Sequence, residues 1–251
     1  MAPPVRLREP TATAESGASA LNGGHWGGHP EQYDAFRECW LSHRRLNFLT
    51  DQFRSARLRP GAVVLEVGAG TGWLLRRLAE RFPEQRFIGI EPDETYVLFA
   101  RAHSRPNEEH VLALAEQLAQ TNLPACDVVL SNDVLHHVSS VEATFRGVAA
   151  VAADECTWWA IEPNFLNPYT HLKQRFSPGE KNFIPRAALR EAAECGWQLT
   201  DRRTLFLVPP FVRTPAPWMA AVERRWEGNP VLGGGICLRL RRRKRNVPAA
   251  T

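Results

Sequence analysis

Val63-Val64-Leu65-Glu66-Val67-Gly68-Ala69-Gly70-Thr71-Gly72-Trp73 is the stretch whose reading decides the fold. Apart from Glu66, its first five residues are aliphatic, which suits a strand buried on both faces. Gly68, Gly70 and Gly72 then permit a sharp turn and let the backbone approach a ligand where a Cβ would intrude. Leu74, Leu75, Leu78 and Phe82 follow at helical spacing, with Arg76, Arg77, Glu80 and Arg81 on the other face. Strand, glycine turn and helix together place backbone N–H groups and a helix N-terminus around a small ligand. The spacing excludes two such ligands. A dinucleotide fingerprint needs glycine at position 73, where Trp73 stands, and a Walker loop needs Gly-Lys-Ser/Thr, but no lysine follows Gly72.

Working outward, residues 85–90 (QRFIGI) predict a second strand. Glu91 closes it roughly 20 residues beyond the glycines, where an acidic side chain can hold ribose hydroxyls, and Pro92 turns the chain. Residues 110–114 predict a third strand, followed by Ala115 and Glu116. Residues 127–131 (DVVLS) predict a fourth, which runs into Asn132-Asp133-Val134-Leu135-His136-His137-Val138. In this order the motifs resemble the class I S-adenosylmethionine-dependent methyltransferases of the small-molecule type, over about residues 60–165.

The resemblance implies an α/β fold: a doubly wound, seven-stranded, mostly parallel sheet with helices on both faces and the last strand antiparallel. It implies S-adenosyl-L-methionine as cofactor, released as S-adenosyl-L-homocysteine. Glu66 and the glycines at 68, 70 and 72 would hold its methionine part, Glu91 and Pro92 its ribose, and Ala115 and Glu116 its adenine. Asn132 and Asp133 would stand beside it. The reaction implied is in-line methyl transfer to an O or N atom of a small acceptor. The alternative is a protein that binds the cofactor without transferring methyl groups, as a silent partner subunit or a non-methylating enzyme.

Residues that manage the acceptor are read from their chemistry. His136 and His137 are the leading bases because an imidazole titrates near neutral pH. Adjacent at the expected start of a helix, they should point in different directions. Glu162, closing a fifth strand at 157–161, is the third candidate. Asn164, Phe165 and Tyr169 in the following loop, and Trp218 farther on, should line an apolar acceptor site suited to a natural-product or lipid-like molecule. His25 and Trp26, with Tyr33, belong to a segment that in this family folds over the cofactor. Tyr33 would touch the cofactor's carboxylate, and His25 and Trp26 the substrate.

The chain divides into a disordered tail at 1–22, a helical lid at 23–58, a catalytic domain at 59–241 with a cap insertion at about 209–232, and a basic tail at 242–251. The lid should hold one helix over 31–58, burying Phe36, Cys39, Trp40, Leu46, Leu49 and Phe53. A helix at 185–195 and strands at 197–208 and 235–240 complete the pattern. The formal net charge is +4, but six positive charges fall within residues 239–245, so the body is not basic. That argues against a nucleic-acid acceptor, which calls for a broad basic face. Peripheral contact of the basic tail with an anionic membrane, and a homodimer, remain as partners. Five scattered cysteines with no C-x-x-C pair suggest neither a metal nor a disulfide framework and fit a reducing cytoplasm.

Overall fold

The computed structural model describes residues 29–176, 183–209 and 211–243. The strands are β1 (Val63–Val67), β2 (Arg86–Glu91), β3 (Glu108–Leu112), β4 (Cys126–Asn132), β5 (Ala152–Pro163), β6 (Trp197–Leu205) and β7 (Gly235–Arg242). They form one sheet in the order β3-β2-β1-β4-β5-β7-β6. β1 to β5 run parallel, and β7 is antiparallel to both its neighbours. Around the sheet lie α1 (Pro30–Arg37), α2 (Trp40–Ala56), α3 (Trp73–Arg81), α4 (Glu94–Ala102), α5 (Val141–Val151), α6 (Pro168–Phe176), α7 (Pro185–Glu194) and α8 (Pro217–Trp226).

Strand alternation divides the core between the two faces. Leu65 and Val67 join Phe145, Trp158 and Trp197 on one side. Val64 joins Leu46, Leu49, Phe53, Leu75 and Trp159 on the other. The successive indoles Trp158 and Trp159 thus stabilise opposite layers. Burying a side chain such as Leu75 or Phe53 contributes about 1.5–3 kcal/mol.

Four boundaries differ from expectation. The single helix over 31–58 is two helices, because the chain turns extended at Cys39. Glu38 at the break bonds Trp73 Nε1, His43 and Arg77, which fastens the kink to the first turns of α3. Phe36 and Trp40 are consequently only half-buried. The third strand begins two residues early, since an edge strand accepts the polar Glu108 and Glu109. β5 begins five residues early, at Ala152, beside a register shift in β4. β6 ends at Leu205 because Phe206 takes a left-handed φ of 62°.

The topology also separates two features that the sequence sets close together. Gly235 lies opposite Pro163 and Arg241 opposite Thr157, so Arg241 to Arg243 sit at the end of the sheet away from the glycine turn. The cap insertion sits at the other end. Its helix α8 is held by Glu223, which is buried and accepts from Arg44 Nε at 2.6 Å and from Val208 N at 2.9 Å. Breaking such a pair costs about 3–5 kcal/mol, so α2 and α8 are fastened as a unit.

Candidate functional site

The site forms where β1, β2, β4 and β5 end together. Gly68, Gly70 and Gly72 all have positive φ, of 68°, 55° and 72°. A Cβ on Gly68 would lie 2.6 Å from Val134 Cγ2, and one on Gly70 would lie 3.3 Å from Tyr33 Cε1. The turn is therefore packed from below by the loop after β4 and roofed by α1. Tyr33 meets Tyr96 edge-on, with 5.4 Å between ring centroids, and Arg37 lies over the Tyr33 ring.

Glu91 reaches across from β2. Its Oε2 accepts from Gly70 N at 2.9 Å and its Oε1 from Asp93 N at 3.2 Å. Burial nevertheless pushes its carboxyl up to about 7. Pro92 beside it is half-buried. Glu66 at the end of β1 is buried, with no hydrogen-bond partner for its Oε2, and burial drives its carboxyl up to about 8 despite Arg37 nearby. Both side-chain atoms of Asn132 and the Thr71 hydroxyl are likewise buried without partners. Buried polar atoms are seldom left so, and here they converge on a backbone cradle. They suit a ligand with amine, carboxylate and hydroxyl groups. Among the described residues no group of three His, Cys, Asp or Glu side chains could hold a metal ion.

A second polar cluster lies beside the first. Glu162, wholly buried, accepts from Val134 N and Leu135 N through Oε1 and bonds His136 Nδ1 at 2.8 Å through Oε2. Glu162 thus holds the β4 loop and His136 together. The loop is a turn, and no helix starts before Val141. The His136 and His137 rings lie 3.9 Å apart with their planes tilted by 42°, His136 buried and His137 exposed, so only His136 faces inward. Asp133, at φ 60°, is bound by Arg45 at 2.6 Å. Burial works to raise its carboxyl pKa, but the charge and hydrogen bond of Arg45, with His136 and Arg37 nearby, together outweigh this and hold it below the usual range. Ala115 is buried in a 3-10 turn, and the neighbouring Glu116 accepts from Ser139 Oγ.

The remaining expected residues are distributed differently. Asn164 donates to Pro230 O and Gly233 O and accepts from Leu166 N, and Asn167 caps α6 through Thr170 N. Both amides are engaged in tying loops. Phe165 is half-buried. Tyr169 and Trp218, expected to line a pocket, point outward from the cap because α6 and α8 bury Thr170, Gln174 and Glu223 instead. His25 and Trp26 lie outside the described residues. Arg37 and Arg45 were not singled out by sequence reading. Arg45 had a visible signal, since it shares a helical face with Leu49 and Phe53.

Comparison with known proteins agrees with this architecture. Residues 65–157 match the family model described as a methyltransferase domain. A dimethyladenosine transferase from Kluyveromyces lactis is 34% identical over 77 residues, covering 31% of this chain and 24% of that protein. The match thus spans about a quarter of that relative's length. A 16S rRNA (adenine(1408)-N(1))-methyltransferase from Streptoalloteichus hindustanus is 25% identical over 198 residues, 74% of this chain and 88% of that protein. Among solved structures, magnesium protoporphyrin IX methyltransferase from Synechocystis PCC 6803 with bound SAH superimposes with a TM-score of 0.62 at 12% identity, covering 90% of this chain and 99% of that one.

Proposed function

We propose that this chain, which has the class I S-adenosylmethionine-dependent methyltransferase fold, moves the cofactor's methyl group to an O or N atom of a small, hydrophobic acceptor. The observation that carries this reading is the Glu162–His136 pair, set at the strand ends next to the orphaned polar atoms of Glu66 and Asn132. A silent cofactor carrier has no use for a buried imidazole held by a carboxylate.

When bound, the cofactor supplies an electrophilic methyl on a sulfonium, which needs alignment more than activation. The chain's own residues then divide the work. The glycine turn offers its N–H groups, Glu66 and Asn132 receive the amino-acid part, and Glu91 receives the ribose hydroxyls. Holding the acceptor in line contributes on the order of 7–11 kcal/mol. Glu162, accepting from His136 Nδ1–H, orients the imidazole as the group that takes the acceptor's proton. That service is worth about 10²–10⁴-fold. Tyr33 and α1 cover the cradle and help exclude water.

One relative is named as a 16S rRNA methyltransferase and another as a dimethyladenosine transferase, which favours an RNA acceptor as the second reading. Against it, the arginines at the end of β7 lie away from this site, and Ser131-Asn132-Asp133-Val134 stands at the end of β4, where base N-methylating enzymes carry an Asn/Asp-Pro-Pro-aromatic motif. Transfer of labelled methyl from S-adenosylmethionine to a panel of lipophilic phenols, acids and amines, with ribosomal RNA in parallel, separates the readings. Label in the small molecules is expected. Label in RNA alone, or in nothing, overturns the proposal.

Glu91 gives a pH-dependent test. Ionised, it accepts from ribose hydroxyls. Protonated below its pKa of about 7, it loses part of that capacity, so affinity should weaken as pH falls from 8 to 6. Glu91→Gln should bind about 1.5–3 kcal/mol more weakly at pH 8 and show a flatter profile. Calorimetry across that range reads both, and an unchanged profile would remove Glu91 from the site.

A further inference from the structure

Helix α8 of the cap and its neighbour α6 are turned inside out. On α6 the buried side chains are Thr170 and Gln174, while Tyr169, Leu172 and Phe176 face outward, Phe176 being 74% exposed. On α8 the buried side chain is Glu223, while Trp218, Val222 and Trp226 recur every four residues on the outer face, Trp218 being 67% exposed. A surface helix ordinarily turns its apolar stripe to the core and its polar residues to water.

The two stripes belong to one surface. Before α8, the exposed Phe211 meets Tyr169 edge-on with 5.7 Å between ring centroids. After α8, Leu232 O accepts from Asn167 Nδ2 at the start of α6. The segment carrying α8 therefore leaves and returns beside the N-terminus of α6. Within the two helices the exposed charge has one sign. α6 carries His171, Lys173 and Arg175 and no carboxylate. α8 carries Arg224 and Arg225, and its one carboxylate is buried on Arg44. At 100° per residue, Lys173 and Arg175 fall on either side of the Tyr169, Leu172 and Phe176 stripe. Long basic side chains so placed can lay their stems along apolar surface and carry their charges to phosphates.

We propose that this face, formed by α6, Phe211 and α8, docks on a membrane surface bearing anionic headgroups. Indole and phenol rings favour the boundary between headgroups and acyl chains, which Trp218, Trp226 and Tyr169 would occupy. A second copy fits less well, because a symmetric contact would set arginine against arginine. The basic end of β7 takes no part, since it lies at the opposite end of the sheet. The inference rests on the cap's surface and requires no particular acceptor.

The test is sedimentation of the full chain with vesicles of phosphatidylcholine alone and of phosphatidylcholine mixed with phosphatidylglycerol. Binding is expected to the mixed vesicles only, weakening roughly fivefold for each cap charge removed and weakening again in high salt. F176S/W226S should bind at least about tenfold more weakly, with an unchanged melting temperature and unchanged cofactor affinity. Brominated acyl chains should quench tryptophan fluorescence in the wild type and less in W226F. The proposal is overturned if the wild type ignores anionic vesicles, or if F176S/W226S binds them as well as wild type does. It is equally overturned if R243Q/K244Q/R245Q abolishes binding, or if the wild type is a dimer that F176S/W226S dissolves.

Discussion

Gly70→Ala is expected to lower affinity for S-adenosylmethionine roughly a hundredfold, about 2.8 kcal/mol, in a protein that still folds. Two separable effects are involved. The residue has φ 55°, a left-handed conformation that costs a non-glycine residue about 1–2 kcal/mol. Its new Cβ would also stand between the turn and Tyr33, in the space the ligand must enter. Gly61→Ala isolates the first effect. Gly61 has φ 73°, with nothing within 4 Å of the added carbon, and lies before β1. It should lose similar stability and keep its affinity. Calorimetry and thermal melts on the two variants decide the matter. If Gly70→Ala binds within threefold of wild type, the glycine turn is structural and the cofactor site lies elsewhere.

The other large effect concerns His136. Once an acceptor is in hand, His136→Ala should slow methyl transfer by about 10²–10⁴-fold, with cofactor affinity nearly unchanged. Added imidazole should restore part of the rate, which a packing role for His136 would not allow. Glu162→Gln distinguishes holder from base. Its carbonyl oxygen still accepts from both loop N–H groups, but an uncharged amide replaces the carboxylate oxygen that partners His136. The rate should fall because His136 is mispositioned, and imidazole should not rescue it. Full activity in His136→Ala would move the acceptor to the other side of the cofactor.

The alternating glycines, the acidic end of the second strand and the run through His136-His137 were enough to predict the parallel strands, and the family resemblance they carry implied the antiparallel last strand that the sheet shows. These are local signals. A short aliphatic run, a turn that only glycine enters cheaply and a helical apolar stripe each lie within a dozen residues of one another, so their chemistry is legible without knowing what they touch. Their order along the chain then limits the topology, because parallel strands require crossover helices.

Partnership was a matter for the tertiary structure. Nothing in the sequence near Glu162 showed that its carboxylate would accept from Val134 N, 28 residues earlier, as a buried carboxylate must accept from some donor. Arg45 and Asp133, 88 residues apart, could not be paired from their neighbours in the chain. The aromatic residues of the cap looked like the wall of a pocket. They face outward because Glu223 is drawn inward by Arg44, 179 residues away, and one helix cannot bury opposite faces against the same neighbour. Propensity and pattern act over a few residues. The direction of a side chain depends on what the fold sets against it, and here those partners come from distant parts of the chain.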